Sequence, residues 1–271
     1  MSAPLARRAL AEAVGSAALV AMVVGSGIQA TELTQDAGVR LLANSLATVF
    51  GLGGLIAVFG PVSGAHFNPV VTLAAWLTGR RAPDGPTLRD VAAYLPAQTA
   101  GAIGGAVLAN AMFARPLVQW SGHDRSAGHL WLGELVATAG LVLLIFGLAR
   151  TGRAHFAPLA VASYIGAAYW FTSSTSFANP AVTVARAFTD TFAGIAPASV
   201  GPFIAAQAAG ALVGLALVAT VFARPAPTPA TPTPAPAEPE ATTPAEPVGP
   251  AANEPERTAP AEPEPAAPAG L

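Results

Sequence analysis

Apolar residues run along this chain in blocks, and six blocks are long enough to read as membrane-crossing helices. They cover residues 9–29, 41–59, 90–113, 130–149, 156–171 and 198–222, against the roughly 20 residues that a helix needs to cross the hydrocarbon. Two further apolar blocks, 69–77 and 180–188, are too short to span. Each follows an Asn-Pro step, and the pattern predicts a half-helix. The expected architecture is all-α: six transmembrane helices plus two re-entrant half-helices.

Composition sharpens this reading. Of the 271 residues, 53% are hydrophobic and only 10% charged, where a soluble domain carries about 25% charged residues. There is no cysteine, which excludes disulfides and thiolate metal sites. Residues 225–271 are almost wholly Pro, Ala, Thr and Glu. Such a segment buries too little apolar surface to offset its ordering entropy, so a disordered, cytoplasmic tail is expected after a single membrane domain at 1–224. Arg7 and Arg8 precede the first block in the manner of a signal peptide. That block is long, contains Glu12 and lacks a convincing cleavage site, so a first transmembrane helix is expected instead.

Arginine placement gives an orientation. With both termini cytoplasmic, the inner ends and loops hold Arg7, Arg8, Arg80, Arg81, Arg89, Arg150, Arg153 and Arg224, and the outer loops hold Arg40, Arg115, Arg125 and Arg186. That excess on the inner side obeys the positive-inside rule. Every basic residue is arginine, a composition that suggests a bacterial plasma membrane.

The chain also repeats itself. Glu12 in the first block, Asn68-Pro69-Val70 after the second and Gln98 in the third recur in the same order as Glu134, Asn179-Pro180-Ala181 and Gln207, about 110 to 120 residues later. Each Gln is followed by a Gly-xxx-Gly pair, Gly101 with Gly105 and Gly210 with Gly214, a pattern that allows close helix crossing. Three spans per repeat is an odd number, so the second copy enters from the opposite face as an inverted repeat. Non-helical backbone at membrane depth is tolerated where it lines a cavity. Pro69 and Pro180 suit the first turn of a helix and Asn68 and Asn179 its N-cap. Inversion then brings the two half-helices together by their N-termini near the midplane, with Asn amides as donors and loop carbonyls as acceptors.

The segment Ser63-Gly64-Ala65-His66-Phe67-Asn68-Pro69-Val70, paired with the second Asn-Pro-Ala box, resembles the major intrinsic protein family, the aquaporins and aquaglyceroporins. The resemblance covers about residues 9–222. It implies a passive channel for small uncharged solutes, a homotetramer with one pore per subunit, and no cofactor. It casts Asn68 and Asn179 as central donors and Glu12 and Glu134 as buried carboxylates holding the re-entrant loops. His66 either lines the pore or caps its loop. Val70 stands where the family usually has Ala.

One departure bears on selectivity. The family usually places Arg directly after the second box; here that residue is Val182. Carried over by spacing alone, the other constriction positions are Thr48, Ala167 and Ser176, a small and uncharged set. A wide filter is therefore expected. Arg186, one turn further on, either substitutes for the missing charge or is a solvated residue of the outer vestibule. Thr in the second helix and Val after the second box resemble bacterial members associated with arsenic resistance, which implies glycerol-like solutes or neutral metalloid acids such as arsenite, besides water. A strict water channel, an ion-coupled transporter and a shut scaffold remain as alternatives. An intramembrane enzyme is disfavoured, because His66, His123, His129 and His155 are scattered.

Overall fold

The computed structural model describes residues 3–82 and 85–222. The predicted tail and Arg224 lie outside them. The main elements of the described chain are α-helices: α1 (Leu5–Leu33), α2 (Ala37–Ser63), α3 (Pro69–Gly79), α4 (Leu88–Met112), α5 (Gly128–Arg150), α6 (Ala157–Phe171), α7 (Pro180–Arg186) and α8 (Pro197–Val221). Here α3 and α7 are the two half-helices.

Five of the six expected spans are helices of 23 to 29 residues with the length and apolarity to cross a membrane. Of these, α1, α2 and α5 overrun their apolar blocks at both ends, because a helix does not stop where its side chains become polar, and α4 and α8 match theirs to within two residues. The remaining expected span, α6, has 15 residues, about 22 Å of helix at 1.5 Å per residue. It begins after a single 3₁₀ turn at Ala154–Phe156 and ends at Thr172, whose extended backbone starts the second re-entrant loop.

Local signals explain the boundaries. Asp36 caps α2 by accepting from the Val39 N–H at 2.8 Å, and Gly64 ends it with φ 91°, in the left-handed region. Thr87 and Asp90 form a reciprocal capping box at the start of α4. Asp90 also takes the Arg8 guanidinium at 2.6 Å, which ties the N-terminal ends of α1 and α4 to one face of the bundle.

Packing follows the repeat. In the first half α1 lies on α4, and in the second α5 lies on α8; α2 meets α6 between the halves. The paired glycines make the two intra-repeat crossings possible. A Cβ on Gly101 or Gly105 would overlap the carbonyls of Ala13 and Ala17, and one on Gly210 or Gly214 those of Leu135 and Ala139. Backbone thus sits directly on backbone, where association without a hydrophobic driving force depends on close van der Waals fit. The cost of losing that fit is testable. Gly105→Val should destabilise the fold by about 1–3 kcal/mol, the usual range for overpacking, whereas Gly104→Ala, which meets nothing within 4 Å, should be near neutral. Thermal unfolding of the two variants in detergent measures the difference.

Candidate functional site

The two re-entrant loops carry the site. Asn68 caps α3 and Asn179 caps α7, each with Pro in the first turn behind it. The Asn68 Oδ1 accepts from Val70 N–H at 3.1 Å, and Asn179 Oδ1 from Ala181 and Val182 N–H at 3.0 and 3.3 Å. Each amide then reaches across to the other loop. Asn68 Nδ2 donates to the Ala178 carbonyl at 2.7 Å, and Asn179 Nδ2 to the Phe67 carbonyl at 2.8 Å. One amide hydrogen of each Asn is thereby used, and a second is left on a side chain that lines the cavity.

The loops reach this geometry through backbone that side chains dislike. Ala65 and Phe67 have φ of 49° and 48°; Ser176 and Ala178 repeat this with 49° and 47°. Non-glycine residues in this region cost on the order of 1–3 kcal/mol each and need surroundings that hold them there. Glu12 supplies them in the first half. Its carboxylate accepts from Ser63 Oγ (2.6 Å), His66 N–H (3.0 Å), Phe67 N–H (2.6 Å) and Gln98 Nε2 (2.8 Å). Glu134 does so in the second half, accepting from Phe177 N–H and Ala178 N–H, both at 2.8 Å, and from Gln207 Nε2 at 2.6 Å. Both carboxylates are fully buried.

Two residues that the sequence reading missed complete the network. Gln98 and Gln207 each donate a second bond, to Thr72 Oγ1 at 2.9 Å and Thr183 Oγ1 at 2.8 Å. Those hydroxyls in turn bond the Asn68 and Asn179 carbonyls at 3.1 and 2.8 Å. A signal was available: a Thr stands four residues after each Asn.

A cavity of about 550 Å³ runs past both loops. Much of its lining is apolar, with Leu19, Leu52, Ile56, Val71, Leu141 and Val182 among the residues; Gly64–Asn68 and Ser176–Asn179 also line it. Among the described residues, the carbonyls of Gly64, Ala65, His66, Ser176 and Phe177 accept no hydrogen bond from the protein. They stand as a ladder of acceptors beside the two Asn donors. His66 fits both of its expected readings: it lines the cavity, and its Nδ1 lies 3.1 Å from Thr72 Oγ1.

Of the four constriction positions carried over by spacing, Thr48, Ser176 and Val182 line this cavity. Ala167 does not. It lies exposed on the outside of α6, and Tyr169 takes the place in the wall. The two positions are two residues apart on α6, which ends at Phe171, so they point to different sides of the helix and only Tyr169 turns to the cavity. Tyr169 is 4% exposed, and its hydroxyl lies 3.1 Å from Thr48 Oγ1. Arg186 is corrected too. It is not a solvated vestibule residue: it is 3% exposed, lines the cavity, and rests its guanidinium 3.4 Å from the centre of the Phe177 ring. Arg125, also assigned to a loop, is buried against the same ring at 5.0 Å.

With this geometry in hand, comparison with known proteins is decisive about kinship. The description "Major intrinsic protein" matches residues 1–177. The chain belongs to the major intrinsic protein family. It is 50% identical over 214 residues to aquaglyceroporin AqpS of Rhizobium meliloti, covering 79% of this chain and 89% of that one. It is 31% identical over 170 residues to a probable TIP-type alpha aquaporin of Phaseolus vulgaris, covering 59% of this chain and 64% of that one. In fold it resembles the crystal structure of the aquaglyceroporin from Plasmodium falciparum, with a TM-score of 0.58 at 23% identity over 80% of this chain and 97% of that one. The protein is thus a multi-pass membrane channel of this family.

The buried carboxylates should carry measurable stability. Glu134→Gln turns an acceptor for buried N–H groups into a mismatched amide and should cost roughly 1.5–3 kcal/mol, the range for hydrogen bonds to a charged group. Thr183→Val, which removes one neutral hydroxyl from the same network, should cost about 1 kcal/mol. The order of the two melting temperatures in detergent checks the assignment.

Proposed function

We propose that the cavity is a passive conduit for water and small neutral hydroxylated solutes such as glycerol, and that neutral metalloid acids, arsenite as its uncharged trihydroxide, also fit it. The observation that carries this reading is the set of unpaired loop carbonyls beside Asn68 and Asn179 in an otherwise largely apolar cavity lining. A solute bearing several hydroxyls exchanges its water contacts for that ladder while its carbon or metalloid face slides on the apolar side. Flux then follows the gradient. Glu12 and Glu134 have their oxygens engaged by loop N–H groups and glutamines, which argues against their cycling as carriers of a coupling proton.

The expected setting is a plasma membrane with both termini cytoplasmic, and the expected assembly a homotetramer with one pore in each subunit. Small residues at the outer end, Thr48, Ser176 and Val182, support a lumen wide enough for glycerol. A strict water channel is the second reading, favoured by the Tyr169 ring and its bond to Thr48, which narrow the same end.

Stopped-flow light scattering on proteoliposomes tests the choice. The native protein should take up glycerol and neutral arsenite as well as water. Val182→Arg should cut uptake of both solutes by about tenfold, since a guanidinium fills the lumen where a small side chain stood, and should leave water flow measurable. Water flow without solute uptake in the native protein would establish the strict water channel instead.

A further inference from the structure

Val182 and Arg186 lie four residues apart on α7, so they share a face and are separated by about 6 Å along the axis. Both line the cavity. Setting the histidines aside, Arg186 is the one side chain of formal charge among the described residues that do so; no Asp, Glu or second Arg lines it. Its position is fixed rather than snorkelling outward. The guanidinium lies flat enough on Phe177 for its carbon to sit 3.4 Å from the ring centre, and Nε donates to the Ala193 carbonyl. Arg125 backs the same ring and is itself held by the Gly194 and Ser174 carbonyls at 3.1 and 3.4 Å. Among the described residues no carboxylate pairs with either arginine. Glu134, the nearest buried acid to this loop, has its oxygens engaged by Phe177 N–H, Ala178 N–H and Gln207.

The internal repeat isolates what is special here. Three residues after each Asn stand Val71 and Val182, and seven residues after stand Ala75 and Arg186. All four line the cavity. At these two matched positions the half-helices differ only at the second, where α3 has a methyl group and α7 a guanidinium. Beside it, the Ser176 hydroxyl is buried with no partner, and Tyr169 bonds Thr48.

We propose that Arg186 is the specificity-determining cation of this pore, a guanidinium set one helical turn outward of Val182 that repels cations at a ring completed by Thr48, Tyr169 and Ser176. An unneutralised charge in a narrow, mostly apolar passage acts on a permeating ion with little screening. The outer end is thus wide at Val182 yet still closed to cations. Phe177 is the positioning residue, since its ring is the platform on which the guanidinium rests.

The proposal rests on the reading of the cavity as a solute channel, and one experiment separates the two. Potassium leak and water flow are measured on the same proteoliposomes. In Arg186→Gln the ratio of potassium to water flux should rise about tenfold, and Arg186→Lys should keep the native ratio. Val182→Arg added to Arg186→Gln should restore exclusion, because it returns a guanidinium to the same face. A native ratio in Arg186→Gln overturns the proposal while leaving the channel reading intact. Absence of water and glycerol flow in the native protein overturns the channel reading, and this proposal with it. If Arg186→Gln does not reconstitute, Phe177→Leu decides: it keeps the charge but removes its platform, so an increased leak supports the proposal and a native ratio overturns it.

Discussion

Backbone N–H groups of two irregular loops lie at membrane depth, where no bulk water can take them up, and two buried carboxylates accept them instead. Glu12 and Glu134 each bond two successive N–H groups and one glutamine. Burying a carboxylate is costly unless every lone pair is used, and here the loop geometry supplies the donors. The same bonds hold Ala65, Phe67, Ser176 and Ala178 in the left-handed region. With the N–H groups turned toward the carboxylate, the loop carbonyls are left unpaired along the cavity. The polar strip of the lumen is therefore a by-product of how the loops are anchored.

Close helix packing serves the same end. Gly101 and Gly105 bring α4 against α1, which carries Glu12; Gly210 and Gly214 bring α8 against α5, which carries Glu134. Gln98 and Gln207, on α4 and α8, can then reach the carboxylate and the Thr hydroxyl of the half-helix together. A wider crossing would separate those three groups. The reciprocal Asn68 and Asn179 bonds finally lock one loop to the other, so the two halves position each other.

Against this symmetry the differences stand out. Two residues before the Asn, the first loop has His66 and the second Phe177. His66 bonds Thr72 and meets Tyr94 edge-on at 5.7 Å; Phe177 carries two guanidiniums and meets Phe203 at 5.2 Å. The anchoring is shared by both halves, and the chemistry at the mouths is not. Selectivity can change at one end while the fold is untouched.

Much of this was legible in the chain itself. Apolar blocks of the right length marked the spans, and Asn-Pro steps marked the half-helix starts because Asn suits the N-cap and Pro the first turn behind it. The matched Glu, Asn and Gln positions revealed the inverted repeat, since chance does not repeat an order of landmarks. What sequence could not decide was which residues around Val182 line the cavity. Ala167 and Tyr169 are two positions apart on one helix, and the rotation that separates inside from outside depends on where α6 stops and the loop begins. Nor could it show that Arg186 lies buried on Phe177, because the ring and the guanidinium meet only when α7 folds back along its own loop. The chain thus determined the spans, the repeat and the two Asn caps through local chemistry, and tertiary packing alone decided which side chains line the cavity around Val182, because a side chain's facing is set by neighbours distant in sequence.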